Sequence, residues 1–190
     1  MFSTLFSRLS ALVVCAGLLM FPASLLHAGE ETASIETSHG LMTLKFFPEQ
    51  APNTVANFKR LAKSGWYEGK TFYRIVKGHV IQAGSADDND QPLVKAEFNS
   101  RPHIKGAVGL ARSEDPDSGS TEIYICHEAR PHLDGKYTVF GQLTEGIDVL
   151  DKIANIEVEE QWVGDDKDIA FHGPVEKVII KRVTLKSSDS

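Results

Sequence analysis

The chain has 190 residues, a formal charge of −6 and 42% hydrophobic residues. That length bounds it at about one domain. The acidic balance, with no basic patch interleaved with aromatic residues, argues against nucleic acid as a partner, and no motif implies a nucleotide, a metal or any other cofactor.

The first 28 residues read as a secretory signal peptide. Arg8 gives the positive start, "LSALVVCAGLLMFPASLL" the apolar stretch, and "LHA" the small residue before the cut. Pro22 and the short apolar core argue against a retained anchor, because a span needs about 20 apolar residues. Cys15 is a poor lipidation site, since Val14 stands where a small residue belongs. Cleavage after Ala28 leaves residues 29–190 as one domain, and loss of Arg8 takes the formal charge from −6 to −7. One cysteine then remains, Cys126, which rules out an internal disulfide; its setting in "IYIC" predicts a buried thiol. An exported chain without a structural disulfide fits a bacterial periplasm. No membrane association is expected after cleavage, and a monomer is expected.

Along the domain, "ASIETSHGLMTLKFF" predicts a hairpin that turns at Ser38-His39-Gly40. "APNTVANFKRLAKSGWY" switches to helical period: Pro52 sits in the first turn, Val55, Phe58, Leu61 and Ala62 share a face, and Gly65 ends the helix. "TFYRIV" and "HVIQAG" predict strands. "DDNDQP" predicts a loop, as does "SEDPDSGS". "AVGLAR", "EIYICH" and "YTVFGQLT" predict three more strands. "EGIDVLDKIANI" predicts a second amphipathic helix, with Ile147, Leu150 and Ile153 on one stripe. "VEKVIIKRVTL" predicts a long closing strand. Short strands with two separated helices fit a closed antiparallel barrel capped by the helices, or an open sandwich.

Three pieces in order carry a family resemblance. They are "FYRIVKGHVIQAG", "HLDGKYTVFGQLTEGIDVLDKI" and "APNTVANFKRLAKSGWYEGKTFYR". With them the chain resembles the cyclophilins, peptidyl-prolyl cis-trans isomerases, and most of all the bacterial secreted kind, from about Ile35 to Leu185. The resemblance implies a mainly β fold, a closed eight-stranded antiparallel barrel with two α-helices, and a groove on its outer face. It implies proline-containing segments of unfolded or exported proteins as partners.

The chemistry explains why an arginine stands in an apolar strand. Rotation about an X–Pro bond faces a barrier of about 18–20 kcal/mol. No bond breaks, so a dry groove and a donor aimed at the twisting imide suffice, provided that the contacts strengthen in the twisted state. Arginine keeps its charge and holds its donors in a fixed plane. By resemblance Arg74 is the catalytic arginine and Gln82 the glutamine that steadies it. The alternative for Arg74 is a structural ion pair with Glu122.

The resemblance places His79, Val80, Ala111, Arg112, Glu122, Tyr124, His132, Leu133 and Tyr137 in the substrate groove, with several departures from the family pattern. His79 and Val80 replace phenylalanine and methionine. Glu122 and Tyr124 replace glutamine and phenylalanine. His132 replaces tryptophan, Tyr137 a histidine and Arg112 an asparagine, whereas Ala111 and Leu133 are kept. The Tyr124 hydroxyl requires a hydrogen-bond partner. Glu122 is expected within reach of Arg74, and a charged His79 would repel it. Weaker and differently selective isomerase activity is expected; the competing expectation is a proline-peptide-binding or chaperone module without catalysis. "HEARPH" is no zinc-protease helix, since His127 and His132 are five apart and Pro131 interrupts.

Overall fold

The computed structural model describes residues 31–84, 90–163 and 169–187. The predicted leader with Cys15, and Asp87 to Asn89 of the predicted acidic loop, lie outside the described residues. The period-two pattern at the start folds as expected. β1 (Thr32–Thr37) and β2 (Gly40–Phe46) pair antiparallel, from Thr32 opposite Lys45 to Thr37 opposite Gly40. Ala33, Ile35, Met42 and Leu44 point inward and are fully buried, as side-chain alternation requires.

α1 (Pro52–Lys63) buries Val55, Phe58, Leu61 and Ala62. Phe58 anchors an aromatic cluster, with ring centroids 5.6 Å from Phe46, 5.2 Å from Tyr67 and 5.5 Å from Phe140. The helix lacks a side-chain cap at Ala51. Glu97, far along the chain, supplies it instead. Its Oε1 accepts from the backbone N–H and Nδ2 of Asn53, and its Oε2 from the backbone N–H and hydroxyl of Thr54, all at 2.8–2.9 Å. A carboxylate there satisfies orphan donors and meets the positive end of the helix dipole.

β3 (Phe72–Val76), β4 (Val80–Ala83), β5 (Ala107–Leu110), β6 (Ile123–Cys126) and β7 (Val139–Glu145) follow. Then come α2 (Ile147–Ala154), β8 (Val158–Val163), β9 (Ile169–Pro174) and β10 (Ile180–Lys186). Eight strands form one antiparallel sheet in the order β10-β1-β2-β7-β5-β6-β4-β3. α1 packs against β10, and α2 against β2, β3 and β4.

The expected closed barrel does not form. The sheet is a strongly curled, open half-barrel. β10 commits its ladder to β1, from Lys186 opposite Thr32 to Ile180 opposite Thr37. Residues 178–180, at its start, reach the far end of the sheet. They do so through one isolated bridge, Thr71 to Ile179, and a few flanking backbone hydrogen bonds, which is too little for a ladder. The predicted long last strand is therefore shorter, starting at Ile180. A hairpin that the sequence pattern did not reveal also appears. β8 and β9 pair as a separate two-stranded sheet, and Phe171 of β9 meets the Tyr73 ring edge-on, 5.7 Å between centroids.

β5 and β6 are buried on both faces, which explains their unbroken apolar runs. Ile81, Val108, Ile123 and Ile125 enter the main core. Val80, Ala107, Tyr124, Cys126 and Val139 form a second cluster on the outer face. Each large apolar side chain buried this way contributes about 1.5–3 kcal/mol.

Glu97→Ala is expected to destabilise the protein by about 1–2 kcal/mol, the usual worth of a helix cap, with Glu97→Gln falling between. Thermal unfolding of the three proteins checks this; equal midpoints would show that the cap contributes nothing.

Candidate functional site

Strict alternation along "FYRIV" would put Arg74 on the same side as Phe72, inside the core. The pairing of β3 with β4 prevents this. Phe72 lies opposite Ala83 and Arg74 opposite Gln82, so the register slips at Tyr73. This is a β-bulge, in which one extra residue re-aims its neighbours. Phe72 and Ile75 stay buried in the core, while Tyr73 and Arg74 both turn to the outer face and are half-buried.

The same register aligns a row across the sheet. Arg74 is opposite Gln82, Gln82 opposite Tyr124, and Tyr124 opposite Gly109. The Arg74 Nη1 donates to Gln82 Oε1 at 3.1 Å. Gln82 Nε2 donates to Glu122 Oε2 at 2.9 Å and to the Tyr73 hydroxyl oxygen at 2.8 Å. That hydroxyl donates to Glu122 Oε1 at 2.7 Å. With two acceptors facing its nitrogen, the Gln82 amide has one orientation that satisfies the network, and its oxygen faces the arginine. The alternative of an ion pair between Arg74 and Glu122 is not what forms. Both carboxylate oxygens are engaged elsewhere, and Arg74 forms no ion pair among the described residues.

Arg74 and Gln82 open onto a cleft of about 220 Å³. Val80, Ala111, Tyr124 and Leu133 give its apolar lining. His79, Arg112 and Tyr137 complete the wall. Two of the expected groove residues stand back from it. Glu122 lies behind Gln82, and the exposed His132 stacks on His79, with centroids 5.7 Å apart and planes 25° apart. Arg112 is fastened to the rim. Its guanidinium donates to the carbonyls of Ser113, Glu114 and Lys136 and lies 4.5 Å from the centre of the Tyr137 ring.

Electrostatics follow from this placement. Partial burial, then the fields of Arg130, Arg74 and His132, hold His79 below the usual imidazole range, so it is neutral at pH 7. Burial pushes the Tyr124 hydroxyl up and the Cys126 thiol up to about 12. Cys126 is fully buried, as expected from its setting, and is no nucleophile at neutral pH.

Four contributors escaped the sequence reading. Tyr73 completes the glutamine network. His127, seen there only as part of a rejected motif, is buried; its Nδ1 accepts the Gly78 N–H at 2.9 Å and its Nε2 lies 3.0 Å from Asp151 Oδ1. This pins the β3–β4 turn, where Gly78 has φ +73°, a conformation that suits glycine, and so fixes His79. His103 and Asp134 hold the Tyr124 hydroxyl. No local period marks a distant histidine as the partner of a tyrosine; only the unsatisfied hydroxyl signalled that a partner exists.

Residues 32–185 match the family model described as cyclophilin type peptidyl-prolyl cis-trans isomerase/CLD. A peptidyl-prolyl cis-trans isomerase of Synechococcus elongatus is 40% identical over 114 residues, which cover 58% of this chain and 78% of that protein. One from Helicobacter pylori is 37% identical over 139 residues, covering 69% and 85% respectively. The fold matches a Cryptosporidium parvum cyclophilin type peptidyl-prolyl cis-trans isomerase, solved in the presence of the dipeptide Ala-Pro. The TM-score is 0.72 at 24% identity, over 83% of this chain and 99% of that one. With a match spanning nearly the whole described domain, the expectation of catalysis prevails over that of a binding module, and the chain is a peptidyl-prolyl cis-trans isomerase that belongs to the cyclophilin family.

Proposed function

We propose that Arg74 lowers the rotation barrier of an X–Pro bond held in the cleft, and that the enzyme serves proteins exported across the inner membrane. One observation carries the catalytic part. Arg74 faces an open cleft, and of its N–H groups only Nη1 is hydrogen-bonded among the described residues, to a neutral amide. A proline ring resting on Val80, Ala111, Tyr124 and Leu133 brings its imide beside the guanidinium. As the bond twists, conjugation is lost and the lone pair returns to nitrogen. Donors aimed at the twisting imide then bind the transition state more strongly than either planar form, which is the condition for rate enhancement. Gln82 limits the arginine's side-chain freedom without neutralising it, as a carboxylate partner would. The Ala-Pro dipeptide of the Cryptosporidium parvum structure suits a cleft of this kind.

The departures in the pocket bear on selectivity. A neutral imidazole at position 79 and a fastened arginine at 112 make the walls more polar than a phenylalanine and an asparagine would. We infer lower activity than that of a family member with an apolar wall there, and a different preference for the residue before proline. Export rests on the leader over residues 1–28 and on the single cysteine left after its removal. No helix among the described residues is long and apolar enough to cross a membrane.

Arg74→Ala is expected to lower kcat/KM on a short X-Pro peptide by about 100-fold. Arg74→Lys restores little of it, because a point charge on a flexible stem lacks the planar fork. Exchange spectroscopy on the peptide measures both; a wild-type rate in Arg74→Ala would remove the arginine from the mechanism.

The pH profile has a defined sign. His79 is neutral in the folded protein below the ordinary imidazole range, so it takes up its proton only as pH falls through that depressed value. The rate is expected to stay level from about pH 8 to about pH 6.5 and to decline below, as a charged ring opposes Arg74. His79→Phe removes the acid limb. A decline centred above pH 7 in wild type would contradict the assignment.

Mass spectrometry of protein from the periplasmic fraction of an expressing bacterium is expected to give a mature N-terminus at Gly29. Intact Met1 in a cytoplasmic fraction would reject export.

A further inference from the structure

Tyr124 lines the cleft, yet what fixes its ring lies outside it. The ring leans across Gly109: a Cβ at that glycine would sit 2.2 Å from the tyrosine Cζ and hydroxyl oxygen. Among the residues opposite Tyr124, only one without a side chain leaves this space. At the far end of the ring, the hydroxyl is 2.8 Å from His103 Nε2. His103 Nδ1 is 2.7 Å from Asp134 Oδ1, and the same oxygen accepts the His103 backbone N–H at 2.8 Å. These two bonds, the backbone one first, hold the Asp134 carboxyl below the usual carboxylate range. A carboxylate can only accept, so the Nδ1 carries the proton. In the neutral ring, the Nε2 lone pair then accepts the tyrosine hydroxyl. His103 is 1% exposed and absent from the cleft lining.

His103 also holds the opposite wall. The Arg130 N–H donates to the His103 carbonyl at 2.6 Å, while Asp134 is bound as described. The segment from Arg130 to Asp134 is thus suspended from one residue at both ends. Leu133, which lines the cleft, lies between these anchors. One buried residue, through its ring on the aromatic side and through its ring and backbone on the aliphatic side, therefore touches the supports of both walls.

We propose that His103 is a positioning residue of the proline pocket: with Asp134 it holds the Tyr124 ring over Gly109 and the Leu133 segment opposite, and so presets the pocket's width. The proposal rests on the cleft being the proline site. It predicts an effect on peptide affinity that is separable from the arginine chemistry. Pockets whose walls are locked by supporting hydrogen bonds lose less entropy on binding, and small displacements of the walls are costly.

The test is a double-mutant cycle followed by exchange spectroscopy on a short Ala-Pro peptide, which returns Kd and the bound-state exchange rate separately. Wild-type rate enhancement is the control. Its absence would refute the catalytic reading, and the affinity measurements test His103 whichever way that control falls. Tyr124→Phe deletes the hydroxyl alone and is expected to raise Kd about two- to tenfold, the range for one lost buried hydrogen bond. The change is expected in Kd more than in the bound-state rate, and a loss confined to the rate overturns the proposal. His103→Asn keeps a donor for Asp134 but gives up Tyr124, and is expected to raise Kd by a similar factor. The double variant is expected to be no weaker than either single one. Additive losses, or wild-type affinity in Tyr124→Phe, overturn the proposal. Should His103→Asn fail to fold, Gly109→Ala decides. The added methyl is expected to weaken peptide binding where the ring is tethered and to have little effect in the Tyr124→Phe background, where the ring is free to shift. Equal losses in both backgrounds overturn it.

Discussion

The site depends on one irregular residue in a short strand. The bulge at Tyr73 lets Phe72 and Ile75 remain in the core while Arg74 turns to the outer face. Without it, an arginine in this strand would face a hydrophobic interior, where an unpaired charge is prohibitively costly. The bulge also sends Tyr73 outward, where its hydroxyl joins Gln82 and Glu122. A single extra residue thus supplies both the cation and part of the network that steadies its partner.

That cation stays available because the nearby acid is already engaged. Glu122 holds two donors, and the amide of Gln82 stands between it and the guanidinium. The arrangement transmits orientation without neutralising charge. Around it, the outer face of the sheet carries a small apolar cluster on what would otherwise be a solvated surface. The cleft is an opening in that cluster, so its lining belongs to the packed structure and needs little rearrangement to accept an apolar ring.

Hydrogen bonds to distant residues complete the framework. Glu97 caps α1, His127 pins the turn before His79, and His103 reaches both walls of the cleft. Each satisfies a polar group that burial would otherwise leave unpaired, and each joins parts of the chain far apart in sequence. They turn a set of short strands, individually marginal, into a rigid support for the groove.

Period and motif order in the sequence determined the eight strands of the main sheet, both helices, the turn of the first hairpin, the burial of Cys126 and the family. Local spacing carries that information, because alternation and helical stripes follow from backbone geometry. The residues around the cleft were legible through the motifs alone. Whether the sheet closes, where Glu122 spends its oxygens, the β8–β9 hairpin and the partner of the Tyr124 hydroxyl were decided only in the tertiary structure. The physical reason is common to all four. Strand register, a bulge and a side-chain hydrogen bond depend on which distant residues meet, and a one-residue slip reverses which face a side chain takes.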